Sequence, residues 1–174
     1  MHDPEVVFRE LKIREGYTFL DLGCGAGDYS IQASKMVGDS GIVYALDKWK
    51  ETTESLEKEV HHQGIKNIQT KASSIEDPLP IDDHCVDVCL ISTVLHTLDL
   101  HQCKDVLFNE IHRILKKDGR VAIIECKKID TPFGPPKSNR WSPNELEEIM
   151  APYGFKKIKD VELGYNYMIL LSIE

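Results

Sequence analysis

The chain has 174 residues, with 29 acidic against 21 basic side chains and a formal net charge of −8. That length suits a single domain, residues 1–174, able to bury about 70% of the surface its unfolded form exposes, and the acidic balance disfavours extended contact with nucleic-acid phosphates. No apolar run approaches the roughly 20 residues of a membrane-spanning helix, the start is acidic rather than signal-like, and five scattered cysteines form no paired framework, so reduced thiols and a cytoplasmic location are expected.

Residues 2–11 predict one amphipathic helix with Val6, Val7 and Leu11 on one side. Strands follow near 18–22, 42–46, 67–71, 86–91 and 120–126, with helices near 28–36, 49–62 and 102–116 between them. Strands alternating with helices imply a parallel sheet covered on both faces. A further helix starts with Ser142 as cap, Pro143 in its first position and Glu145 three after the cap. The strand-like runs 155–161 and 165–173 are joined too tightly for a crossover helix and must pair as a hairpin.

The first strand runs into a turn with glycines at 23, 25 and 27, where the backbone can turn tightly and approach a ligand, and the free N–H groups of the next helix face the same space. A dinucleotide fingerprint needs its third glycine at position 28, which holds Asp28; a carboxylate is a poor neighbour for a pyrophosphate, so NAD and FAD are disfavoured. Asp47 ends the second strand twenty residues after Gly27. A carboxylate there can accept both hydroxyls of a ribose, and capping the next helix is the compatible alternative. Lys48 and then Trp49 follow, the indole placed where it could lie against an adenine.

The pattern formed by Asp21, Gly23, Gly25 and Gly27 resembles motif I of the class I S-adenosylmethionine-dependent methyltransferases, near the quinone-biosynthesis group. Segments 68–72, 73–77, 79–92, 94–98 and 111–120 continue the likeness in order, so that it covers nearly the whole chain. The resemblance implies an α/β, Rossmann-like, doubly wound sheet of seven mostly parallel strands in the order 3-2-1-4-5-7-6, the last strand antiparallel. It also implies S-adenosyl-L-methionine as cofactor, leaving as S-adenosyl-L-homocysteine, and direct displacement onto a small-molecule acceptor. Its contacts would come from Asp21, Gly23, Cys24, Gly25 and Gly27, from Asp47, Lys48 and Trp49, from Ser74 and Ile75 in the loop that meets adenine, and from Ser92 at the end of strand four. Many relatives carry an Asp where this chain has Ser74.

His96, just after strand four, is the placed candidate for a general base, because its ordinary pKa near 6.5 suits proton removal at neutral pH; Glu125 is the second choice. The turn-rich stretch 131–140 reads either as an acceptor lid, with Phe133 and with Arg140 pairing a carboxylate or phosphate, or as a plain surface connection. No metal site is expected: Cys85 and Cys89 lack a second ligand pair and read as small buried thiols. Residues 90–93 lack the N-P-P-Y type motif of base methylation, which again favours a small acceptor. Only about eighteen residues precede the first strand, leaving the acceptor pocket either open or covered by a second subunit, as in a homodimer. The rival from another class is a non-catalytic S-adenosylmethionine-binding regulatory or scaffold subunit, which would keep the same glycine loop and Asp47.

Overall fold

The strands β1 (Thr18–Leu22), β2 (Ile42–Asp47) and β4 (Val86–Ser92) are short, largely apolar runs, β3 (Ile68–Ala72) is a more polar and exposed one, and β1 and β4 are buried on both faces, as a covered parallel sheet requires. The computed structural model describes residues 3–173, so the expectation for His2 lies outside the described residues. With β5 (Leu115–Cys126), β6 (Phe155–Leu163) and β7 (Asn166–Ile173) they form one seven-stranded sheet in the order β3-β2-β1-β4-β5-β7-β6. β7 runs antiparallel to both of its neighbours, with Ile123 opposite Ile169 on one side and Phe155 opposite Ile173 on the other. This is the order and the strand direction expected. The hairpin turns at residues 164–165, where Gly164 takes a φ of +72°.

Helices α1 (Pro4–Leu11), α2 (Asp28–Val37) and α3 (Lys50–His62) cover one face, packing Phe8, Leu11, Val37 and Leu56 with Phe19 and Val43 of the sheet. Helices α4 (Leu100–Ile114) and α5 (Pro143–Met150) cover the other, where Leu107, Phe108, Leu146 and Met150 meet Cys89, Ile91 and Val121. The capping box at Ser142 and Glu145 forms as its spacing predicts. In α1, Val7 and Leu11 are buried together with Phe8, while Val6 is half-buried against them.

One boundary differs by more than two residues. α4 stops at Ile114 rather than 116, and β5 begins at Leu115 rather than 120. The N–H groups of His84 and Cys85 donate to the carbonyls of Arg113 and Ile114, and Leu115 is fully buried opposite Val86. The helix end is therefore satisfied by the chain entering β4, and strand pairing takes over before another helical turn can form. Among the described residues no helix is long and apolar enough to cross a membrane.

Candidate active site

At the carboxyl ends of β1, β2 and β4, where the strand order reverses, the molecule opens into a cavity of about 470 Å³. Asp21, Gly23, Cys24, Gly25 and Gly27 all line it, followed by Asp28 and Tyr29 in the first turn of α2. Two of these glycines are required by both conformation and space. Gly23 has a φ of +84° and a Cβ there would lie 2.5 Å from Val94 Cγ2; Gly27 has a φ of +85° and a Cβ would lie 2.2 Å from Leu56 Cδ1. The first lets the segment after β4 close onto the loop, and the second lets α3 pack against the start of α2.

Asp47 is fixed through both carboxylate oxygens: Oδ2 accepts the Gly25 N–H at 3.0 Å and Oδ1 accepts the Trp49 N–H at 3.0 Å. The N-cap position of α3 is Trp49, so Asp47 is not that helix's cap. Each oxygen keeps a lone pair for a hydroxyl donor. Asp21 is buried beneath the loop and accepts a 2.6 Å bond from Ser30 Oγ. Its carboxyl is pushed up to about 6, first by burial and then by the nearby charges of Asp47 and Asp28. Burial also raises the Cys24 thiol well above its ordinary range, which leaves it no thiolate character. Against three carboxylates the cavity wall carries one cation, Lys48, an environment suited to a positively charged ligand and hostile to a pyrophosphate.

Lys48 and Trp49 line the cavity on the β2 side; the indole is 60% exposed with Lys48 Nζ 5.0 Å from its ring centroid. Ile75, after β3, lines the cavity as a buried apolar side chain. Ser74 does not reach the cavity: its hydroxyl accepts the Glu76 N–H at 3.1 Å, and Ser73 lines the space instead. The turn after β3 uses the Ser74 oxygen as an acceptor for its own backbone, so that Ser73 and Ile75, rather than Ser74, line the cavity. Ser92 is present at the end of β4 and is hydrogen-bonded to Tyr29.

Sequence reasoning missed Tyr29, Thr93, Val94, Thr97 and Leu98 as cavity residues. Tyr29, two residues past Gly27, was reachable by counting along the first helical turn. Thr93 was not: it adopts a φ of +55°, rare for a β-branched residue, and is held there by its N–H donating to Ile124 O at 2.7 Å.

His96 sits outside the lining, in the short turn Leu95–Thr97, although Val94 and Thr97 on either side belong to it. Its Nδ1 is 2.8 Å from Glu125 Oε2, while Glu125 Oε1 accepts the Leu95 N–H at 2.7 Å. Glu125 is fully buried, and its hydrogen bond raises the His96 pKa above 6.5. Phe133 is exposed and stands outside the cavity, edge-on to Tyr165 with ring centroids 4.9 Å apart.

Arg140 is corrected outright. It is 4% exposed, and its five N–H groups donate to Pro135 O, Lys127 O, Ile129 O, Thr131 Oγ1 and Phe133 O. No donor remains for an acceptor's carboxylate or phosphate. The irregular loop after β5 satisfies Lys127 O with the Ile129 N–H and Phe133 O with the Thr131 hydroxyl, and the guanidinium adds to these and supplies the Ile129 and Pro135 carbonyls from inside. Cys85 Sγ donates to Asp82 O at 3.1 Å, and among the described residues no three His, Cys, Asp or Glu are grouped to hold a metal ion.

A family model described as a methyltransferase domain matches residues 13–162. A crystal structure of a SAM dependent methyltransferase from Aquifex aeolicus is 33% identical, with a TM-score of 0.90 over 99% of this chain and 90% of that one. The demethylmenaquinone methyltransferase of Lactobacillus johnsonii is 35% identical over 127 residues, 72% of this chain and 50% of that protein. A ubiquinone/menaquinone biosynthesis C-methyltransferase of Paraburkholderia phytofirmans is 28% identical over 169 residues, 91% of this chain and 61% of that protein. The chain thus spans about half to three fifths of the length of these curated relatives.

Proposed function

This chain belongs to the S-adenosylmethionine-dependent methyltransferase domain family, and from that premise we propose that it transfers a methyl group from S-adenosyl-L-methionine to a small-molecule acceptor, a reduced quinone ring being the first candidate. The observation that carries the reading is the pairing of Asp47 with the glycine loop. One carboxylate oxygen fixes Gly25 and the other fixes the start of α3, so that the remaining lone pairs point from a held group at the strand switch point. Asp47 takes the ribose hydroxyls. Trp49 and Ile75 offer apolar faces to the adenine, and Asp21 and the Gly23–Gly27 backbone receive the methionine end, the buried carboxyl meeting its ammonium.

When bound, the cofactor supplies a methyl group on a sulfonium that is already a strong electrophile. The residues of this chain then contribute alignment and exclusion of water. Ser92, Thr93 and Val94 at the end of β4 form the wall facing the transfer direction, because β4 is the strand across the switch point from the glycine loop. The quinone ring is suggested by the names of the two curated relatives, and a small flat acceptor suits a cavity of about 470 Å³ that must also hold the cofactor's outer groups.

The test is calorimetric titration with S-adenosylmethionine, S-adenosylhomocysteine and NAD, followed by an assay of S-adenosylhomocysteine release with 1,4-naphthohydroquinone. Micromolar binding of both adenosyl ligands without NAD, and acceptor-dependent release, are expected. Silence toward both adenosyl ligands overturns the reading; binding without release to any of a panel of small acceptors replaces it with a non-catalytic binding module.

A further inference from the structure

Glu125 is the next-to-last residue of β5, pairs with Tyr167 of β7, and has no exposed surface. A buried carboxylate is costly unless it is paired and hydrogen-bonded, and this one spends both oxygens on a single turn. Oε1 accepts the Leu95 N–H at 2.7 Å and Oε2 meets His96 Nδ1 at 2.8 Å. That turn is the one whose Val94 and Thr97 wall the cavity. An ionised carboxylate can only accept, so the proton in the bond to Oε2 belongs to Nδ1. Nε2 is then bare whenever the ring is neutral, it has no partner among the described residues, and the side chain keeps 18% of its surface exposed.

We propose that Glu125 is a positioning residue that holds His96 with Nε2 free, and that His96 is the base that takes an O–H proton from the acceptor as the methyl group arrives. The proposal rests on the methyl-transfer reading above and restricts its acceptor to a molecule whose nucleophile is made by losing a hydroxyl proton, an enol or phenol rather than a thiolate. The O–H bond breaks toward Nε2, leaving its electron pair on the acceptor. That pair, at oxygen or relayed to the adjacent ring carbon, forms the bond to the methyl carbon, while the methyl–sulfur bond breaks with its pair staying on sulfur. For an oxygen nucleophile the imidazolium then passes its proton to water. For a carbon nucleophile the ring C–H proton leaves to water, and the imidazolium proton returns to the oxygen. Either route releases one proton overall, as removal of the sulfonium charge requires.

The groups acting on the ring are few. Glu125 from β5 attracts the proton, and the buried Arg140 guanidinium opposes it. Tyr167 on β7 and Cys126 on β5 lie within the field of Glu125, and burial raises both of them, which keeps them neutral at ordinary pH. The carboxylate therefore dominates, and the base is available only above an apparent pKa higher than 6.5, so transfer must rise with pH through that value.

Two readouts separate the proposal from the reading it rests on. NMR titration of the His96 imidazole nitrogens in the S-adenosylhomocysteine-loaded protein, which needs no acceptor, is expected to show the Nδ1–H tautomer and a pKa above 6.5 that falls in Glu125→Gln. An Nε2–H tautomer, or a pKa indifferent to that change, overturns the proposal. With 1,4-naphthohydroquinone as probe acceptor, His96→Gln is expected to lose on the order of 10²- to 10⁴-fold in kcat with cofactor Kd within about twofold of the parent, and Glu125→Gln to move the rising limb of the pH profile downward. Equal loss of kcat and of cofactor affinity marks His96 as a support for the Val94–Thr97 turn rather than a base, and overturns the proposal. A protein that binds the cofactor yet transfers only to thiols overturns the acceptor class alone, whereas failure to bind S-adenosylmethionine overturns the underlying function.

Discussion

Asp21 and Thr93 are the two cavity residues where the fold carries a local cost. The Asp21 carboxyl, raised from 3.8 to about 6 chiefly by burial, holds its proton longer in the folded chain than in the unfolded one. Its contribution to stability is therefore full below pH 3.8 and is lost as pH rises through about 6, a swing of roughly 3 kcal/mol. Asp21→Asn keeps an acceptor for Ser30 and removes the buried charge, so at pH 8 the variant should unfold at higher denaturant than the parent, while binding S-adenosylmethionine more weakly. In the parent, a cation arriving beside Asp21 pulls its pKa down. Affinity should consequently fall as pH drops through about 6, and titrations near pH 6 in buffers of different ionisation enthalpy should register proton release. Equal affinities at pH 5 and pH 8 would place the ammonium elsewhere. Thr93 is the simpler case: Thr93→Gly removes a β-branched side chain from a φ of +55° and is expected to stabilise the protein by about 1 kcal/mol. A lower melting temperature would mean that the Thr93 hydroxyl, bonded to Ser92 O at 2.7 Å, outweighs the strain.

Among the elements, the loop between β5 and the short 3-10 turn Lys137–Asn139 departs most from its sequence reading. Its prolines and Gly134 were legible as turn formers, and Arg140 was legible as a cation; which way that cation pointed was not. Guanidinium direction depends on whether the nearby carbonyls have other donors, and that is decided only when residues 127–135 wrap around one centre. Arg140→Met, similar in size but without donors, takes the guanidinium from the Ile129 and Pro135 carbonyls, while Lys127 O keeps the Ile129 N–H and Phe133 O keeps the Thr131 hydroxyl, and should destabilise the protein by roughly 3 kcal/mol. The loss should concentrate in faster backbone hydrogen exchange and earlier proteolysis across 127–140, with the glycine loop unaffected. Protection unchanged in that loop would show that its own turns, not the guanidinium, hold it. The regular elements were far easier to read. β1, β2 and β4 are apolar runs with little choice of environment, and the Ser142, Pro143 and Glu145 spacing fixes a helix start locally. The shortened end of α4 escaped because its last carbonyls are satisfied by His84 and Cys85, residues 29 positions upstream.

At the scale of the molecule, the glycine spacing and Asp47 were readable because each belongs to one strand end, whereas the wall formed by Thr93, Val94, Thr97 and Leu98 depends on distant partners: the contact of Val94 with Gly23, the bond of Thr93 to Ile124 O and the hold of Glu125 on Leu95. The cavity is thus lined from the ends of β1, β2, β3 and β4, with β5 behind one wall through Glu125, and a ligand filling it links strands on both sides of the switch point. Binding that is confined to the folded state adds RT ln(1 + [L]/Kd) to global stability, about 2.7 kcal/mol at a hundredfold excess over Kd. For a chain of 174 residues that corresponds to an increase in melting temperature of roughly 5 to 10 °C. S-adenosylhomocysteine should produce that increase and NAD should not. Asp47→Ala removes a charged hydrogen-bond acceptor, expected to cost 1.5 to 3 kcal/mol of affinity, or about 10- to 150-fold in Kd. It also releases the Gly25 N–H and Trp49 N–H, so its own melting temperature should fall modestly. The decisive comparison is the ligand-induced shift within each variant: a shift in Asp47→Ala as large as in the parent, at equal ligand concentration, would remove Asp47 from the binding site however much the variant itself is destabilised.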